Sequence, residues 1–320
     1  MGGLVSYPLG CFYPLEISPR SVIARNPFAT MHSSKQSIHK LAVIGDPISH
    51  SISPALHSFL IEQFDLPLSY ERQHVSASEL KCFVQRMRGG EFAGINVTIP
   101  HKRAILPLLD DLDPLAERIG AVNTVINSHD LLIGHNTDAA GFRLALEAAD
   151  ISVAHEDCLV LGAGGAAVAV VHSLLENEAG TVYLSNRHLE RAEHLVSEMP
   201  NQYRDRLRLI EWEQLHEWLA MEPVRVIINA TSAGMSPDSK ITPIPQAHFT
   251  SEMIAIDLIY NPLETVFLHQ ARNAGARTLN GLPMLIYQGV AAMELWGGQK
   301  LSLEGLYPNL ENLLMKALSK

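Results

Sequence analysis

The chain has 320 residues, of which 47% are hydrophobic and 18% charged, enough for about two domains with sizeable cores. With 24 Lys and Arg against 34 Asp and Glu, the net charge is −10, which argues against a nucleic-acid-binding protein. No apolar run is long enough to cross a membrane. The dispersed cysteines (Cys11, Cys82 and Cys158) and scattered histidines form neither a disulfide framework nor a metal-ligand pair. We therefore expect a cytoplasmic protein without a metal.

Residues 1–37 form a leader that differs from the rest of the chain. It is rich in Pro, Ser and Gly and has no hydrophobic periodicity, so we predict that it is disordered. It lacks the basic and apolar regions of a signal peptide. Two alternatives stay open: Met31 is the true start, or the acid-poor leader is a transit peptide.

Ordered structure is predicted from residue 40 onward, with a buried strand over 40–46 and a helix over 54–64. Ser53 is a natural N-cap for this helix, and Pro54 a natural first helical residue. Ser51 and Ser53 lie where a helix start is expected to leave N–H groups unpaired, which favours an anion such as a substrate carboxylate. The alternative is that Ser53 acts only as a cap.

A lysine stands in an unfavourable position in the next segment. Strands over 68–75 and 92–100 flank a helix over 78–88, and a further helix is predicted over 101–109. Lys102 falls in the first turn of that last helix, where the helix dipole repels cations. Either Lys102 is exposed to solvent, or its position is functional, as for a catalytic lysine.

A hairpin is predicted from strands over 119–126 and 131–135, joined by a turn at 127–130. Asp138 then precedes a helix. Its position suits an N-cap, so the residue type alone does not give it a catalytic role.

The segment from residue 159 to 184 has the pattern of a βαβ unit. A buried strand over 159–161 runs into a glycine turn, and a helix and a second strand over 181–184 follow. The turn fits G-x-G-x-x-G/A with Gly162, Gly164 and Ala167, which is typical of a dinucleotide-binding fold with pyrophosphate at the helix start. The alternative is a glycine-rich turn that only packs.

The residues after the second strand indicate which dinucleotide binds. An NAD-binding unit usually places Asp or Glu there for the ribose 2′-hydroxyl. This chain has Asn186 and Arg187, with Arg191 one helical turn later, so two guanidiniums are available for a 2′-phosphate. We therefore predict NADP, with solvated surface arginines as the alternative.

The remaining predicted strands cover residues 207–212, 224–229, 253–260 and 275–281. The second of these strands ends in a small polar turn through Thr231, Ser232 and Met235, which is suited to lie against a cofactor. An apolar helix over 284–295 carries Gln288, and a final amphipathic helix ends the chain.

Nine motifs occur in one order: GDPISHSISP, GINVTIPHK, GAVNT, GHNTD, GAGGAA, SNR with a later arginine, NATSAGM, DLIYNP and NGLPMLIYQG. With these motifs the chain, from about Leu41 to its end, resembles the shikimate dehydrogenase family. The resemblance implies an α/β fold with an N-terminal substrate domain (38–138 plus 281–320) and a Rossmann NADP-binding domain (139–280). The C-terminal helices would return to the first domain, and the active site would lie in the cleft between the two.

The resemblance also implies roles for particular residues. Lys102 and Asp138 would be the catalytic pair. The substrate-binding residues would be Ser51, Ser53, Thr98, Asn123, Tyr260 and Gln288. The cofactor-binding residues would be Gly162, Ala163, Gly164, Gly165, Ala166, Asn186, Arg187, Arg191, Thr231, Ser232, Met235, Gly281 and Met284. One departure is His188, where the family usually has Thr.

The implied activity is the reversible reduction of 3-dehydroshikimate to shikimate by NADPH, without a metal, in a monomer or homodimer. One alternative is a broader quinate/shikimate dehydrogenase that uses NAD(P), for which we expect an acidic residue near Asn186. The other is a non-catalytic sensor of cofactor and substrate, which we expect to have lost Lys102 or Asp138.

Overall fold

The computed structural model describes residues 38–128, 131–222, 224–245 and 248–319. These residues form two α/β units, each built on a six-stranded sheet. The predicted fold class, two α/β units of which the second is a Rossmann-type unit, is confirmed. The leader over 1–37 and residues 129–130 of the predicted turn lie outside the described residues.

The first sheet has the strand order β2-β1-β3-β5-β6-β4. Its strands are β1 (His39–Gly45), β2 (Leu68–His74), β3 (Gly94–Val97), β4 (Asp111–Leu112), β5 (Thr124–Ser128) and β6 (Leu131–His135). Strand β1 runs parallel to β2 and β3, whereas β5 is antiparallel to β3 and β6. The predicted hairpin of β5 and β6 is thus confirmed, although its first strand begins at Thr124 and not at residue 119.

Helices cover both faces of this sheet. Those that follow its strands are α1 (Ser53–Gln63), α2 (Leu80–Arg88), α3 (His101–Ala104) and α4 (Pro114–Ile119). Because side chains alternate along a strand, β1 contributes to two cores. Leu41 and Val43 pack with α1, while Ala42 and Ile44 pack with α2. A strand that is buried on both faces explains the continuous apolar run at the start of the ordered chain.

The second sheet is entirely parallel, with the order β12-β11-β10-β7-β8-β9. Its strands are β7 (Cys158–Leu161), β8 (Val182–Asn186), β9 (Leu207–Glu211), β10 (Val226–Asn229), β11 (Ile254–Asp257) and β12 (Arg277–Leu279). The helices between them are α6 (Gly165–Glu176), α7 (Leu189–Glu198), α8 (Asn201–Arg204), α9 (Leu215–Met221) and α10 (Val266–Asn273). The chain order reverses between β7 and β10. The carboxyl ends of these two strands therefore form the crevice in which ligands bind in such sheets.

Three further helices join the units: α5 (Asp138–Ala148), α11 (Leu282–Gly297) and α12 (Tyr307–Leu318). Apolar residues of α11 and α12, among them Ile286, Trp296 and Leu310, lie in the core of the first unit with α1. Helix α5 crosses α11 at Gly141, where a methyl group would lie 2.8 Å from the backbone nitrogen of Gln288. None of the described helices is long and apolar enough to span a membrane.

Some predicted elements are wrong in detail. The helix predicted over 101–109 ends after one turn and gives way to a 3₁₀ turn over Leu106–Leu108, because a proline disfavours helical geometry in the residue before it. Ser53 is not an N-cap, since α1 begins at Ser53 itself and Ile52 takes the cap position. Asp138 is likewise the first residue of α5 and not its cap. The short strand β4 and helices α4, α7, α8, α9 and α10 were not predicted from the pattern.

Replacing Gly141 by Ala tests the crossing of α5 and α11. The added methyl would meet backbone atoms of α11, at 2.8 Å from the Gln288 nitrogen and 2.9 Å from the Met284 oxygen, which cannot rotate away. We expect a loss of about 1–3 kcal/mol in the free energy of unfolding, measured by urea denaturation. The control is Gly297→Ala in α11, where the nearest atom is 3.9 Å away and helix propensity favours alanine. Equal stability of the two variants would contradict the close packing.

Candidate active site

A lysine and a carboxylate meet where α3 and α5 begin. The Lys102 ammonium donates a hydrogen bond to Oδ2 of Asp138, and the two side chains are 15% and 8% exposed. The backbone holds α3 at this point, since the Lys102 carbonyl accepts from Val122 N–H at 2.8 Å. Lys102 is therefore not a solvated surface lysine, and the two residues named by the family resemblance lie together.

Asn123 holds the carboxylate of Asp138 from the other side. Its Nδ2 donates to Oδ1 of Asp138 and to Oγ1 of Thr137, each at 2.9 Å. Its Oδ1 accepts from Thr137 N–H at 2.8 Å. Both oxygens of Asp138 thus have a partner, which fixes the plane of the carboxylate. Gln288, carried by α11, brings its Oε1 to 3.4 Å from Asn123 Nδ2, so this predicted site residue joins the same cluster.

The serines after β1 form a second part of the site. Ser51 Oγ donates to Ser53 Oγ at 3.2 Å and accepts from Ser53 N–H at 3.3 Å. The prediction that α1 offers unpaired N–H groups here is wrong. Ser53 N–H is used by Ser51, Pro54 has none, and Ala55 N–H donates to the Ile52 carbonyl. An anion at this point would therefore be met by the hydroxyl groups.

A cation that sequence reasoning missed lies beside these serines. Arg72 Nε donates to the Ser51 carbonyl at 2.8 Å, and Arg72 has no ion-pair partner among the described residues. Its position near the end of β2 could have indicated this, because β2 is parallel to β1 and its end lies beside the loop that follows β1. Arg72 therefore supplies the positive charge beside Ser51 and Ser53 (the serine site) that the start of α1 was expected to supply.

Thr98 and Tyr260 come from different units. Thr98 is half-buried directly after β3 and packs so closely on Gly45 that a methyl there would lie 2.6 Å from Thr98 Cγ2. Tyr260 follows β11 of the second unit but packs against the core of the first. Burial raises the pKa of Tyr260, so its hydroxyl remains protonated at neutral pH. Tyr260 thus links the two units.

The glycine turn after β7 fits a dinucleotide phosphate. Gly162 has a φ of +111°, and a side chain there would press on the Ala230 carbonyl at 2.9 Å. Around Gly164, the N-cap of α6, a methyl would have no neighbour within 4 Å, and the first turn of α6 carries no acidic residue. The turn is open to an anion at a helix start. The stem of Lys102 lies against this turn, since a methyl on Gly165 would be 3.4 Å from Lys102 Cδ.

The loop after β8 presents the residues predicted to read a 2′-phosphate. Asn186 Nδ2 donates to the His188 carbonyl at 2.8 Å, and His188 is the N-cap position of α7. Arg187 and Arg191 are exposed and have no ion-pair partner in the described part of the chain. The sequence reading overlooked Glu190, which lies in the first turn of α7 with its carboxylate 3.8 Å from His188 Nδ1.

A buried carboxylate supports the polar turn after β10. Asn229 Oδ1 accepts from the backbone N–H of Thr231 at 3.0 Å and from its hydroxyl at 2.6 Å, and Asn229 Nδ2 donates to Asp257 at 3.1 Å. Asp257 also accepts from the Thr265 hydroxyl at 2.6 Å and from Ile259 N–H at 3.0 Å. Burial raises the pKa of Asp257 to about 6, against the opposing effect of these hydrogen bonds. Sequence reasoning gave no role to this pair.

The other predicted cofactor residues lie in the loop after β10 and at the start of α11. Met235 is partly exposed after the turn, whereas Met284 is buried in α11 and packs in the core of the second unit. Gly281 is packed so tightly that a methyl would lie 2.1 Å from the Leu258 carbonyl. In the described part of the chain, no group of three or more His, Cys, Asp or Glu side chains is arranged to hold a metal ion.

Two family models match this chain. Residues 43–125 match the shikimate dehydrogenase substrate binding domain, and residues 143–261 match shikimate / quinate 5-dehydrogenase. The shikimate dehydrogenase (NADP(+)) of Desulforamulus reducens is 40% identical over 258 residues, which cover 80% of this chain and 89% of the relative. The chain belongs to the shikimate dehydrogenase family. Solved structures of shikimate dehydrogenases have the same fold.

The shikimate dehydrogenase of Thermus thermophilus, solved with NADP(H) and shikimate, has a TM-score of 0.77 and 38% identity. The match covers 88% of this chain and all of that one, 100%. A quinate dehydrogenase of Corynebacterium glutamicum, solved with NAD, has a TM-score of 0.78 at 27% identity. This match covers 87% of this chain and 99% of the quinate dehydrogenase. The family thus includes relatives named for either substrate and solved with either cofactor.

The buried Asp257 predicts a pH dependence of stability. Its pKa is about 6 in the folded protein, against an ordinary value of 3.8. As pH rises from about 4 to about 6, the unfolded chain releases this proton first, so the carboxyl group lowers the free energy of unfolding. Asp257→Asn removes this ionisation. The unfolding free energy of the variant minus that of wild type should rise by about 2 kcal/mol between pH 4 and pH 7.

Urea denaturation across this pH range measures the difference, in which all other titrating groups cancel. Asp205→Asn, at an exposed aspartate of the same unit, is the control and is measured over the same pH range. A flat difference for Asp257→Asn would mean that Asp257 ionises normally in the folded protein.

Proposed function

We propose that this chain is an NADP-dependent shikimate dehydrogenase, which reversibly reduces 3-dehydroshikimate to shikimate. The observation that carries the proposal is the largely buried pair of Lys102 and Asp138, oriented by Asn123 and lying against the glycine turn. The names and bound ligands of the relatives give the substrate and the cofactor. The pathway is then the one that leads to chorismate and the aromatic amino acids.

Lys102 and Asp138 act as the proton-transfer pair in this proposal. Bound NADPH supplies a hydride to the carbonyl carbon of the substrate. The Lys102 ammonium stabilises the negative charge that develops on the carbonyl oxygen and gives that oxygen a proton. Asp138 holds the ammonium in place through its Oδ2, and in the reverse direction the pair takes the proton from the hydroxyl group.

The substrate carboxylate would bind to the hydroxyls of Ser51 and Ser53, with the positive charge of Arg72 beside them. The two neutral hydroxyl groups would donate hydrogen bonds that orient the carboxylate. The guanidinium nearby would attract the negative charge of the carboxylate to this site. Thr98, Asn123, Tyr260 and Gln288 would contact the ring hydroxyls. Asn123 and Gln288 already belong to the cluster around Asp138.

NADP would lie along the crevice at the carboxyl ends of β7 and β10. The pyrophosphate would bind the N–H groups of the turn formed by Gly162, Ala163, Gly164, Gly165 and Ala166. Asn186, Arg187 and Arg191 would hold the 2′-phosphate. Thr231, Ser232, Met235, Gly281 and Met284 would line the nicotinamide end.

The domain boundaries are part of the same proposal: 38–138 plus 281–320 for the substrate domain and 139–280 for the NADP domain. The packing of Ile286 and Leu310 into the first core supports the return of the last helices. Lys102 and Asp138 are both present and paired, which argues against a non-catalytic sensor. A cytoplasmic location, based on the dispersed cysteines, and a monomeric or homodimeric state complete the proposal.

A second candidate is a broader quinate/shikimate dehydrogenase that accepts NAD. Glu190 favours it, because a carboxylate in the first turn of α7 can accept from a ribose hydroxyl and repel a phosphate. The two exposed arginines, Arg187 and Arg191, favour NADP. Initial rates with shikimate and quinate, each with NADP and NAD, separate the candidates.

Arg187 gives a direct test of cofactor choice. We expect at least a tenfold preference for NADP over NAD, the worth of about one charge-assisted contact. Arg187→Ala should raise KM for NADP about tenfold and leave KM for NAD nearly unchanged. Arg225→Ala is the control, because Arg225 is an exposed arginine of the same unit that pairs with Glu156 at 3.3 Å. An equal loss with both cofactors would mean that Arg187 does not read the phosphate.

The Lys102 and Asp138 pair gives the test of the mechanism. Lys102→Ala should lower kcat by about 10²–10⁴-fold, the usual worth of general acid–base catalysis, and should change KM for shikimate much less. Asp138→Asn should also lower kcat. The double variant should be little worse than the worse single one, because the two residues act as a unit.

The matched control is Lys300→Ala, which breaks the pair that the exposed Lys300 forms with Glu294 at 2.8 Å. Steady-state rates and a cofactor titration measure these effects. A Lys102→Ala enzyme within about fivefold of wild-type kcat would contradict the assigned proton-transfer role.

A further inference from the structure

A chain of buried polar side chains runs behind Asp138, within the first sheet. The Tyr70 hydroxyl donates to Oδ1 of Asn96 at 2.6 Å. Asn96 Nδ2 donates to Oγ1 of Thr124 at 3.1 Å and to the Asn123 carbonyl at 3.2 Å. Thr124 in turn donates to Oδ1 of Asn123 at 3.0 Å. The chain ends at Asn123 Nδ2, which holds Asp138.

Neighbouring strands bring these residues together. Tyr70 lies on β2, Asn96 on β3, and Thr124 opens β5, where it is the register partner of Asn96. All of them are buried, Thr124 completely. A buried polar group that loses its hydrogen-bond partner cannot find water as a replacement, which lowers the stability of the fold. Each hydrogen bond of the chain is therefore favoured by the burial of its two partners.

The hydrogen bonds have a fixed direction. A phenol is the donor to Oδ1 of Asn96, which leaves Nδ2 of Asn96 to point toward Thr124. Because Oγ1 of Thr124 accepts that bond, its proton is free to donate to Oδ1 of Asn123. The Thr137 N–H donates to the same Oδ1 at 2.8 Å, so this backbone donor and the Thr124 hydroxyl together leave Nδ2 of Asn123 toward Asp138, the orientation that a carboxylate requires.

No member of the chain changes charge near neutral pH. Burial raises the pKa of Tyr70 well above its ordinary value, so the phenol remains a donor. His57 stacks on Tyr70 with ring centroids 4.1 Å apart, and burial lowers the pKa of His57 to about 3. The neutral imidazole holds the phenol ring by stacking without adding a charge, and the Trp296 ring lies beside both, with its centroid 5.5 Å from that of His57 and 6.1 Å from that of Tyr70.

We propose that Tyr70, Asn96 and Thr124 are positioning residues, which together with the Thr137 N–H set the amide orientation of Asn123 and thereby hold Asp138 in line for proton transfer. None of the three bonds to the Lys102 ammonium, whose partner is Asp138. Their effect is therefore on the catalytic step, where small displacements of reacting groups have large consequences. The inference rests on the proposed function of the Lys102 and Asp138 pair.

Thr124 offers the sharpest test, with a conservative rescue. Thr124→Val keeps the shape but removes the hydroxyl that orients Asn123, and we expect kcat to fall by about tenfold. KM for shikimate should stay within about threefold, because the serine contacts are untouched. Thr124→Ser restores the hydroxyl and should return kcat to within about twofold of wild type. If Thr124→Ser is as slow as Thr124→Val, packing and not the hydrogen bond is responsible, and the proposal is overturned.

Tyr70→Phe tests the far end of the chain and should also lower kcat by several-fold. Combined with Thr124→Val it should be little worse than the worse single variant, since both break one chain. The control is Tyr203→Phe, which removes the hydroxyl of another buried tyrosine, bonded to Glu176 in the second unit. Tyr203→Phe should leave kcat unchanged. Melting temperatures and NADP titrations establish that each variant is folded.

The outcomes separate the two proposals. Wild-type protein without activity on shikimate would overturn the proposed function and this inference with it. Active wild-type protein in which Tyr70→Phe and Tyr203→Phe behave alike, or in which Tyr70→Phe and Thr124→Val add fully, would overturn the positioning chain alone. A kcat loss confined to Tyr70→Phe and Thr124→Val, with rescue by Thr124→Ser, supports it.

Discussion

The contact between Lys102 and Asp138 is the interaction on which the rest of the site depends. It joins the start of α3 to the start of α5, and α5 packs against α11, which lies in the core of the first unit. A charged pair this far from solvent is unfavourable unless its remaining hydrogen-bonding capacity is satisfied. Asn123 meets that need at the second oxygen of Asp138. The polar cluster is thus a structural requirement of the pair that, in the proposed function, is also the catalytic arrangement.

The same pair also brings the two units together. The aliphatic stem of Lys102 rests on Gly165 of the glycine turn, so the proposed proton donor from one unit lies beside the proposed cofactor turn of the other. Tyr260 makes the reverse connection, from the second unit to the core of the first. A cleft built in this way allows each unit to bind its own ligand. The reacting groups then meet at the boundary, where neither fold alone would place them.

Local patterns in the sequence were sufficient for some of this and not for the rest. The glycine turn was predictable because its strand, its turn and its helix are adjacent in sequence and the conformation of Gly162 is a local property. The pairing of Lys102 with Asp138 is not local, since 36 positions separate them, and only the family resemblance indicated it. The pair of Asn229 and Asp257 depends on the register of two parallel strands, which the sequence does not encode locally. The prediction of free N–H groups at the start of α1 is wrong because the Ser51 hydroxyl accepts the Ser53 N–H and Pro54 has no N–H.

The central claim is that the Lys102 and Asp138 pair faces the reacting hydroxyl of shikimate. A crystal structure of the protein with shikimate and NADP tests it most directly. The account predicts one ring hydroxyl within about 2.6–3.2 Å of both Lys102 Nζ and a carboxylate oxygen of Asp138. The substrate carboxylate should lie at Ser51 and Ser53. A complex in which shikimate binds elsewhere, or turns its carboxylate toward Lys102, would contradict the account.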